Sequence, residues 1–185
     1  MILSVVFYNI PLKKGMVNMK YTSAEAAKIL RQLNDDYAYL SSMESESCEF
    51  TAAVSEDIET VRPEYSFEDT QKKLDELNGK IRRVKHAINV FNTTHTVPGF
   101  DMTIDEMLVY IPQLTRRKSK LYNMKNRLPK VRQASSYRTS IIDYNYANYD
   151  IKAAEEEYAK AADTLAKAQL ALDTLNSTET MEIDI

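Results

Sequence analysis

Apolar residues recur at alternating steps of three and four along the stretch from Ser66 to Thr94. This spacing places them on one stripe of an α-helix, as in the seam of a coiled coil. The stripe consists of Leu74, Leu77, Ile81, Val84, Ile88 and Phe91. Ser66 is followed three residues later by Asp69, and this pair predicts a capped helix start with a carboxylate near the positive helix end. We therefore predict that one long amphipathic helix forms the backbone of the fold.

The same spacing predicts a first helix and a last helix. The first is expected to begin with Thr22 or Ser23 as its cap and to run to about Met43. The last is expected over residues 151–175, because its apolar stripe holds the spacing for more than three heptads. That stripe consists of Ile151, Ala154, Tyr158, Ala161, Leu165, Ala168, Leu172 and Leu175. Its alanines predict a closely approaching neighbour.

Another helix is predicted from Ile104 to about Leu128. Thr103 and Glu106 have the spacing of a capping box at its start. Pro112 lies inside it and is expected to kink the helix or delay its start, because proline lacks the backbone N–H. The predicted buried side consists of Met107, Ile111, Leu114, Leu121 and Leu128.

Two stretches between these helices lose the helical period, and both have strand-like composition. The Phe50–Val54 segment is rich in β-branched and aromatic residues, and Ile142, Tyr144 and Tyr146 alternate as in a strand. We predict that these two segments pair as a small ribbon. The predicted fold class is thus mainly all-α: an antiparallel bundle of four long helices with coiled-coil-like arms and a possible small β-ribbon.

A chain of 185 residues favours one domain, which we place at residues 21–178. Residues 1–20 are interpreted as an N-terminal extension. Its apolar start lacks a basic flank and stops at Pro11, which favours an over-extended start with the chain beginning near Met19. A short edge strand is the main alternative, and a targeting segment is less favoured. Residues 179–185 form an acidic tail that is either frayed or paired as an edge.

Composition excludes several functional classes. The three glycines, Gly15, Gly79 and Gly99, have the spacing of neither the dinucleotide-binding nor the P-loop fingerprint. Cys48 is the only cysteine, which excludes an intramolecular disulfide and a cysteine-based metal cluster and favours a cytoplasmic location. The sequence carries no catalytic motif and no stretch long enough to span a membrane. We therefore predict a protein that is not an enzyme, without a cofactor or a membrane span.

A polar cluster ends the long helix and is the first candidate site. It consists of Asn89, Asn92, Thr93, Thr94 and His95. Its amides and hydroxyls could form a binding cup, or they could cap the last helical carbonyls, and capping is the favoured alternative. A metal site built from His86, His95, Asp101 and Asp105 would match no known spacing, so no metal ligand is predicted.

Charge is unevenly distributed along the chain. No acidic residue occurs between Met107 and Ile142, whereas that segment holds nine basic residues with Tyr122 and Tyr137 among them. The basic residues are Arg116, Arg117, Lys118, Lys120, Lys125, Arg127, Lys130, Arg132 and Arg138. This basic stripe, residues 116–138, could neutralise phosphates while the tyrosines stack on bases, which is the pattern of a nucleic-acid-binding surface.

The alternative is that an acidic segment covers the basic stripe. Residues 35–76 carry thirteen acidic residues against Arg62, Lys72 and Lys73, and the two segments could face one another within the bundle or between subunits. A net charge of −3 and a pI near 5.5 are unlike a dedicated nucleic-acid binder, so this alternative is favoured. It predicts a homo-oligomer.

Tyrosines cluster towards the last helix. They are Tyr137, Tyr144, Tyr146, Tyr149 and Tyr158. They could line a ligand groove or a subunit interface, where such amphipathic aromatic side chains are enriched. They could equally belong to a half-buried ribbon that packs on the bundle.

Several short motifs resemble a family of small uncharacterised bacterial helical proteins, some of which carry the name septicolysin-like. The resemblance lies in Ile88–Asn92 at the end of the long helix and in Thr103–Leu108 at the start of the next. It continues in Ala162–Lys167, Leu172–Asp173 and Asn176–Ser177 of the last helix. The chain departs from the family pattern at Phe91, Pro112 and Ser177. The resemblance implies a helical fold and an oligomer.

The sequence thus favours a non-enzymatic, self-associating helical interaction protein. The first alternative is a nucleic-acid-binding protein that uses residues 116–138. The second is a septicolysin-like membrane-active protein, which is disfavoured because the apolar stripes are narrow and the chain has no tryptophan to anchor it in a membrane.

Overall fold

The computed structural model describes residues 19–133 and 142–185. The elements in chain order are β1 (Met19–Thr22), α1 (Ser23–Ser47), α2 (Ile58–Val61), α3 (Phe67–Thr94), α4 (Ile104–Lys125), β2 (Lys130–Arg132), β3 (Tyr144–Tyr146), α5 (Ile151–Thr178) and β4 (Thr180–Ile183). The four predicted helices correspond to α1, α3, α4 and α5. The predicted fold class, mainly all-α with small β elements, is confirmed.

The long helices form two pairs that share a core. α1 packs along α3 and α4 packs along α5, whereas α3 with α4 and α1 with α5 contact more sparsely. The buried residues of the shared core are Ala26, Val84, Phe91, Val97, Ile104, Met107, Leu114, Leu165, Ala168, Leu172, Leu175, Met181 and Ile183. Most come from the first parts of α1 and α4 and from the later parts of α3 and α5; Val97 comes from the connection between α3 and α4, and Met181 and Ile183 come from β4. The opposite end of each pair therefore lies away from this core.

Strands β1 and β4 close the core. They pair antiparallel, with Met19 opposite Ile183 and Thr22 opposite Thr180. Met181 and Ile183 are buried, and Arg83 of α3 donates from Nε to the Asp184 carbonyl at 2.7 Å. Of the two alternatives for the tail, the structure shows edge pairing. The predicted boundary between residues 20 and 21 falls inside β1.

The predicted ribbon has the wrong partner. Strand β3 does occur where Tyr144 and Tyr146 alternate, but it pairs antiparallel with β2 and not with the Phe50–Val54 segment, which is not a strand. Both β2 and β3 lie in the connection between α4 and α5, so their pairing closes only a short loop. Phe50 lies in the connection between α1 and α3, at the end of the other helix pair.

The helix starts follow their caps. Thr103 and Glu106 form the predicted capping box, in which the Thr103 side chain accepts from the Glu106 N–H while the Glu106 carboxylate accepts from the Thr103 N–H at 2.7 Å. Thr22 and Glu25 form a second one at α1. The Ser66 hydroxyl accepts from the Asp69 N–H at 3.4 Å.

Two predictions about helix length were wrong. α1 continues to Ser47, four residues beyond the expected end. α4 ends at Lys125, and Leu128, which was predicted on its buried side, is exposed. Leu128 precedes Pro129, and the proline ring disfavours helical backbone in the residue before it. Pro112 lies within α4 but does not delay its start at Ile104.

Candidate interaction surfaces

In the polar cluster at the end of α3, the threonine hydroxyls form hydrogen bonds to backbone carbonyls of the same helix. The Thr93 hydroxyl donates to the Asn89 carbonyl at 3.0 Å, and the Thr94 hydroxyl donates to the Val90 carbonyl at 2.7 Å. Asn89 is exposed and Asn92 is half-buried. Each hydroxyl thus bonds to a carbonyl one turn earlier in its own helix, which is the local back-bonding that threonine commonly makes in helices.

His95 is also held against this helix end. Its Nδ1 lies 2.9 Å from the Phe91 carbonyl, and its ring stacks on the Phe91 ring with 4.0 Å between centroids. His86 and His95 line one groove of about 290 Å³, together with Met181 and Glu182 of β4. Asp101 and Asp105 do not line it. In the two described ranges, no group of three or more His, Cys, Asp or Glu side chains is arranged to hold a metal ion.

The charged segments occupy opposite helix pairs. Residues 35–76, which we call the acidic end, span the later part of α1, the connection with α2, and the first part of α3. Residues 116–132, which we call the basic end, span the later part of α4, the turn after it, and β2. Each segment therefore belongs to a different helix pair, at the end away from the shared core.

The acidic end does not cover the basic end within one chain. Of the basic residues, Arg117 is ion-paired, to Glu157 of the adjacent α5 at 2.6 Å. The hydrogen bond from Lys160, and to a smaller extent the one from Arg117, holds the pKa of Glu157 below its usual value. Among the described residues, no ion pair joins residues 116–132 to residues 35–76. The prediction that the two segments face each other within the bundle is therefore not met in this chain.

Most of the basic end faces solvent. Lys118 and Lys125 are half-buried. The exposed basic residues are Arg116, Arg117, Lys120, Arg127, Lys130 and Arg132. Arg138 and Tyr137 lie outside the described residues. The eight described cations of the predicted stripe thus lie on one continuous stretch of α4, its turn and β2.

Tyrosine rings hold two of these lysines in place. Lys125 Nζ lies 4.1 Å from the centroid of the Tyr158 ring, and Lys130 Nζ lies 4.0 Å from the centroid of the Tyr144 ring. Such contacts keep the ammonium charge at the surface while restricting the flexible side chain. Tyr149 donates its hydroxyl hydrogen to the Met124 carbonyl at 2.8 Å and anchors the connection before α5 to the end of α4.

Side-chain contacts also organise the acidic end. Glu44 of α1 accepts hydrogen bonds from the Tyr65 hydroxyl at 2.8 Å and from Gln71 Nε2 at 2.7 Å. Partial burial, and then the hydrogen bond to Glu44, raises the pKa of Tyr65. Arg62 pairs with Glu59 at 2.8 Å and lies over the Phe50 ring. Glu44 thereby ties both the connection and the first part of α3 to α1.

Apolar side chains are exposed at both ends; Tyr122, Tyr144 and Tyr146 were predicted as possible contact residues, whereas the aliphatic and phenylalanine side chains were not. At the acidic end the exposed apolar residues are Tyr39, Met43, Phe50, Val54, Ile58, Val61 and Phe67, and Val54 is fully exposed. At the basic end and its ribbon they are Tyr122, Leu128, Val131, Ile142, Tyr144 and Tyr146, with Leu128 at 66% exposure. For Phe50, Val54 and Leu128 a signal was available, because they lie in non-helical connections where no helical stripe can bury them. Clustered exposed apolar residues indicate an interaction site.

No protein-family model and no curated protein matches this chain. A solved structure does: the crystal structure of a functionally unknown conserved protein from Corynebacterium diphtheriae. The two chains are 18% identical, the match covers 88% of this chain and 99% of that chain, and the TM-score is 0.56. At this identity the likeness shows the fold alone. Membership of the septicolysin-like family stays a prediction, and none of the described helices has the length and apolar character needed to cross a membrane.

Proposed function

We propose that this chain is a non-enzymatic interaction protein that associates with itself through its two charged ends. The observation that supports the proposal is the separation of charge: one helix pair ends in an acidic surface and the other in a basic surface, and no ion pair among the described residues connects them. Every copy therefore presents both members of a complementary pair.

Burial of the exposed apolar residues on the same two surfaces would also stabilise self-association. Charges alone bind weakly in water, because an exposed ion pair contributes only about 0 to 1 kcal/mol. Burial of apolar side chains adds about 25 cal/mol for each Å² removed from water. Val54 at one end and Leu128 at the other are the most exposed of these apolar residues within their clusters. The non-enzymatic part of the proposal rests on the sequence, which carries no catalytic motif.

Light scattering coupled to size exclusion tests this proposal. We expect a mass above the 21.3 kDa of one chain at micromolar concentration, with a fraction that grows as the protein is concentrated. A mass of one chain at every concentration would contradict it.

A second candidate function is binding of single-stranded nucleic acid, and the exposure of the basic end favours it. Lys118, Tyr122 and Tyr158 line a groove of about 200 Å³ on this surface, so cations and aromatic rings occur together there. Fluorescence anisotropy with a single-stranded oligonucleotide would test it over a salt series. Log affinity should fall against log salt with a slope of about −0.7 for each phosphate neutralised. No binding at low salt would exclude this function.

A further inference from the structure

We infer that the basic end is occupied by the acidic end of a second copy of this chain, in a reciprocal pair. The inference rests on the proposed self-association and specifies its two surfaces. In such a pair, the acidic end of each copy docks on the basic end of the other, so both complementary contacts form at once.

Charge favours contact between unlike ends over contact of two acidic ends or of two basic ends. The acidic end has thirteen carboxylates against Arg62, Lys72 and Lys73, and Arg62 is already paired with Glu59. The basic end has eight described cations and no acidic residue of its own, and these cations outnumber the five carboxylates of the adjoining connection and start of α5, which are Asp143, Asp150, Glu155, Glu156 and Glu157. A two-fold contact of either end with itself would place like charges opposite each other, which is strongly unfavourable. Contact of an acidic end with a basic end places unlike charges opposite each other in both contacts of the pair.

Apolar residues give the contact a centre that can lose its water. Val54 and Phe50 are exposed in the connection between α1 and α3, next to Glu49 and Glu56. Leu128 and Val131 are exposed between the cations of the other end. An apolar core with a charged rim is the usual anatomy of a protein interface. Both ends thus carry the two components that such an interface needs.

A second copy fits better than an unrelated polyanion. A nucleic acid on the basic end would gain nothing from the acidic end, whose thirteen carboxylates would repel it. A second copy uses both ends of each chain. It also covers the apolar residues of both ends, whereas a ligand of the basic end leaves those around Val54 in water.

Charge reversal at unpaired positions tests the inference without disturbing the fold. Variant B carries Arg127→Glu and Arg132→Glu at the basic end, and variant A carries Glu49→Lys and Glu64→Lys at the acidic end. These four side chains are exposed, and no hydrogen bond or ion pair of their side chains is found among the described residues. The matched control carries Arg82→Glu and Lys85→Glu, two exposed positions of α3 outside both ends. Circular dichroism spectra and melting temperatures should match those of the wild type.

Each variant is measured alone by sedimentation velocity, and then A and B are mixed. Alone, A and B should each associate at least about tenfold more weakly than the wild type, because both contacts of each homodimer then bring two reversed residues against residues of the same charge. Mixed in equal amounts, they should form a heterodimer of about wild-type affinity, because the reversed ends again meet unlike charges. The control should stay within about twofold of the wild type.

Three outcomes would overturn the inference. If the wild type associates and variants A and B associate equally well, the ends are not the interface, although self-association stands. If both variants dissociate but their mixture does not recover, the two ends do not meet each other. If the wild type is a monomer, the inference and the proposed function both fail. Binding of a single-stranded oligonucleotide by that monomer, lost in variant B, would assign the basic end to nucleic acid.

Discussion

Phe91 lies where the two helix pairs meet, so its replacement tests how strongly the shared core holds them. The side chain is 2% exposed and stacks on His95 with 4.0 Å between ring centroids. Phe91→Ala removes the ring and leaves a cavity, which typically costs about 3 to 5 kcal/mol of unfolding free energy. The lost stacking with His95 adds up to about 1 kcal/mol.

The backbone at this position is not part of the expected loss. The Phe91 carbonyl accepts from the His95 N–H at 3.1 Å and lies 2.9 Å from His95 Nδ1, and alanine retains that carbonyl. The predicted effect is therefore one of packing. With a total stability of about 5 to 15 kcal/mol, the variant should stay folded over most of that range and unfold only near its lower limit.

Urea denaturation followed by circular dichroism at fixed protein concentration measures the change, because association would make stability depend on concentration. At about 2 to 4 °C for each kcal/mol, the melting temperature should fall by about 6 to 20 °C. Leu170→Ala is the control: it also truncates a large apolar side chain within a long helix, but Leu170 is 69% exposed and lies outside both charged ends. The control should change stability by less than about 0.5 kcal/mol. A loss below about 1 kcal/mol for Phe91→Ala, or equal losses for the two variants, would refute the reasoning.

Three further variants test the elements that close the core. Thr103→Ala removes a hydroxyl that accepts from the Glu106 N–H, so it should cost about 1 kcal/mol in chemical denaturation. Hydrogen bonds donated by the Thr103 backbone and side chain lower the pKa of Glu106 from its ordinary 4.5. The Glu106 carboxylate therefore contributes its full stabilisation above pH 4.5, and this stabilisation is lost as the pH falls through the lowered pKa of Glu106 in the folded protein. The stability difference between the wild type and Glu106→Ala should shrink over this acidic range, and a difference that is constant with pH would contradict the assignment. Ile183→Ala removes a side chain that is 2% exposed on β4 and should cost about 2 to 4 kcal/mol, whereas a loss below about 1 kcal/mol would show that β4 contributes little.

Helical periodicity predicted the parts of the fold in which local and tertiary preferences agree. In α3, Leu74, Ile81, Val84 and Phe91 are buried as the stripe predicted. In α5, six of the eight predicted positions are buried. The capping box at Thr103 was also predictable, because its two side chains act within four residues of each other.

Strand pairing and helix ends were harder to predict. Three-residue strands such as β2 have almost no periodicity, so Val131 gave no signal and the partner of β3 was misassigned. The end of α4 depended on Pro129, which a count of apolar spacing overlooks when it extends to Leu128. The pairing of β1 with β4 joins residues about 160 positions apart, and no local pattern specifies such a contact.

For the candidate surfaces, too, local features were predictable from the sequence and features that depend on helix packing were not. The cations from Arg116 to Arg132 were readable from the sequence, because a run without acidic residues is a local property. Whether residues 35–76 cover them depends on which helices pair, and α1 pairs with α3 while α4 pairs with α5. The exposure of Val54 and Leu128 follows from the same arrangement. The acidic and basic segments therefore lie on different helix pairs and do not screen each other within one chain.

Sedimentation velocity of the wild-type chain over a salt series tests the central claim most directly. The Debye length falls from more than 10 Å below 0.1 M salt to about 3 Å at about 1 M, so attraction between the charged ends should be largely screened at the upper limit. We predict a species of two chains at low salt that dissociates progressively as salt is added. A single chain at low salt, or an assembly that salt does not weaken, would contradict association through the acidic and basic ends.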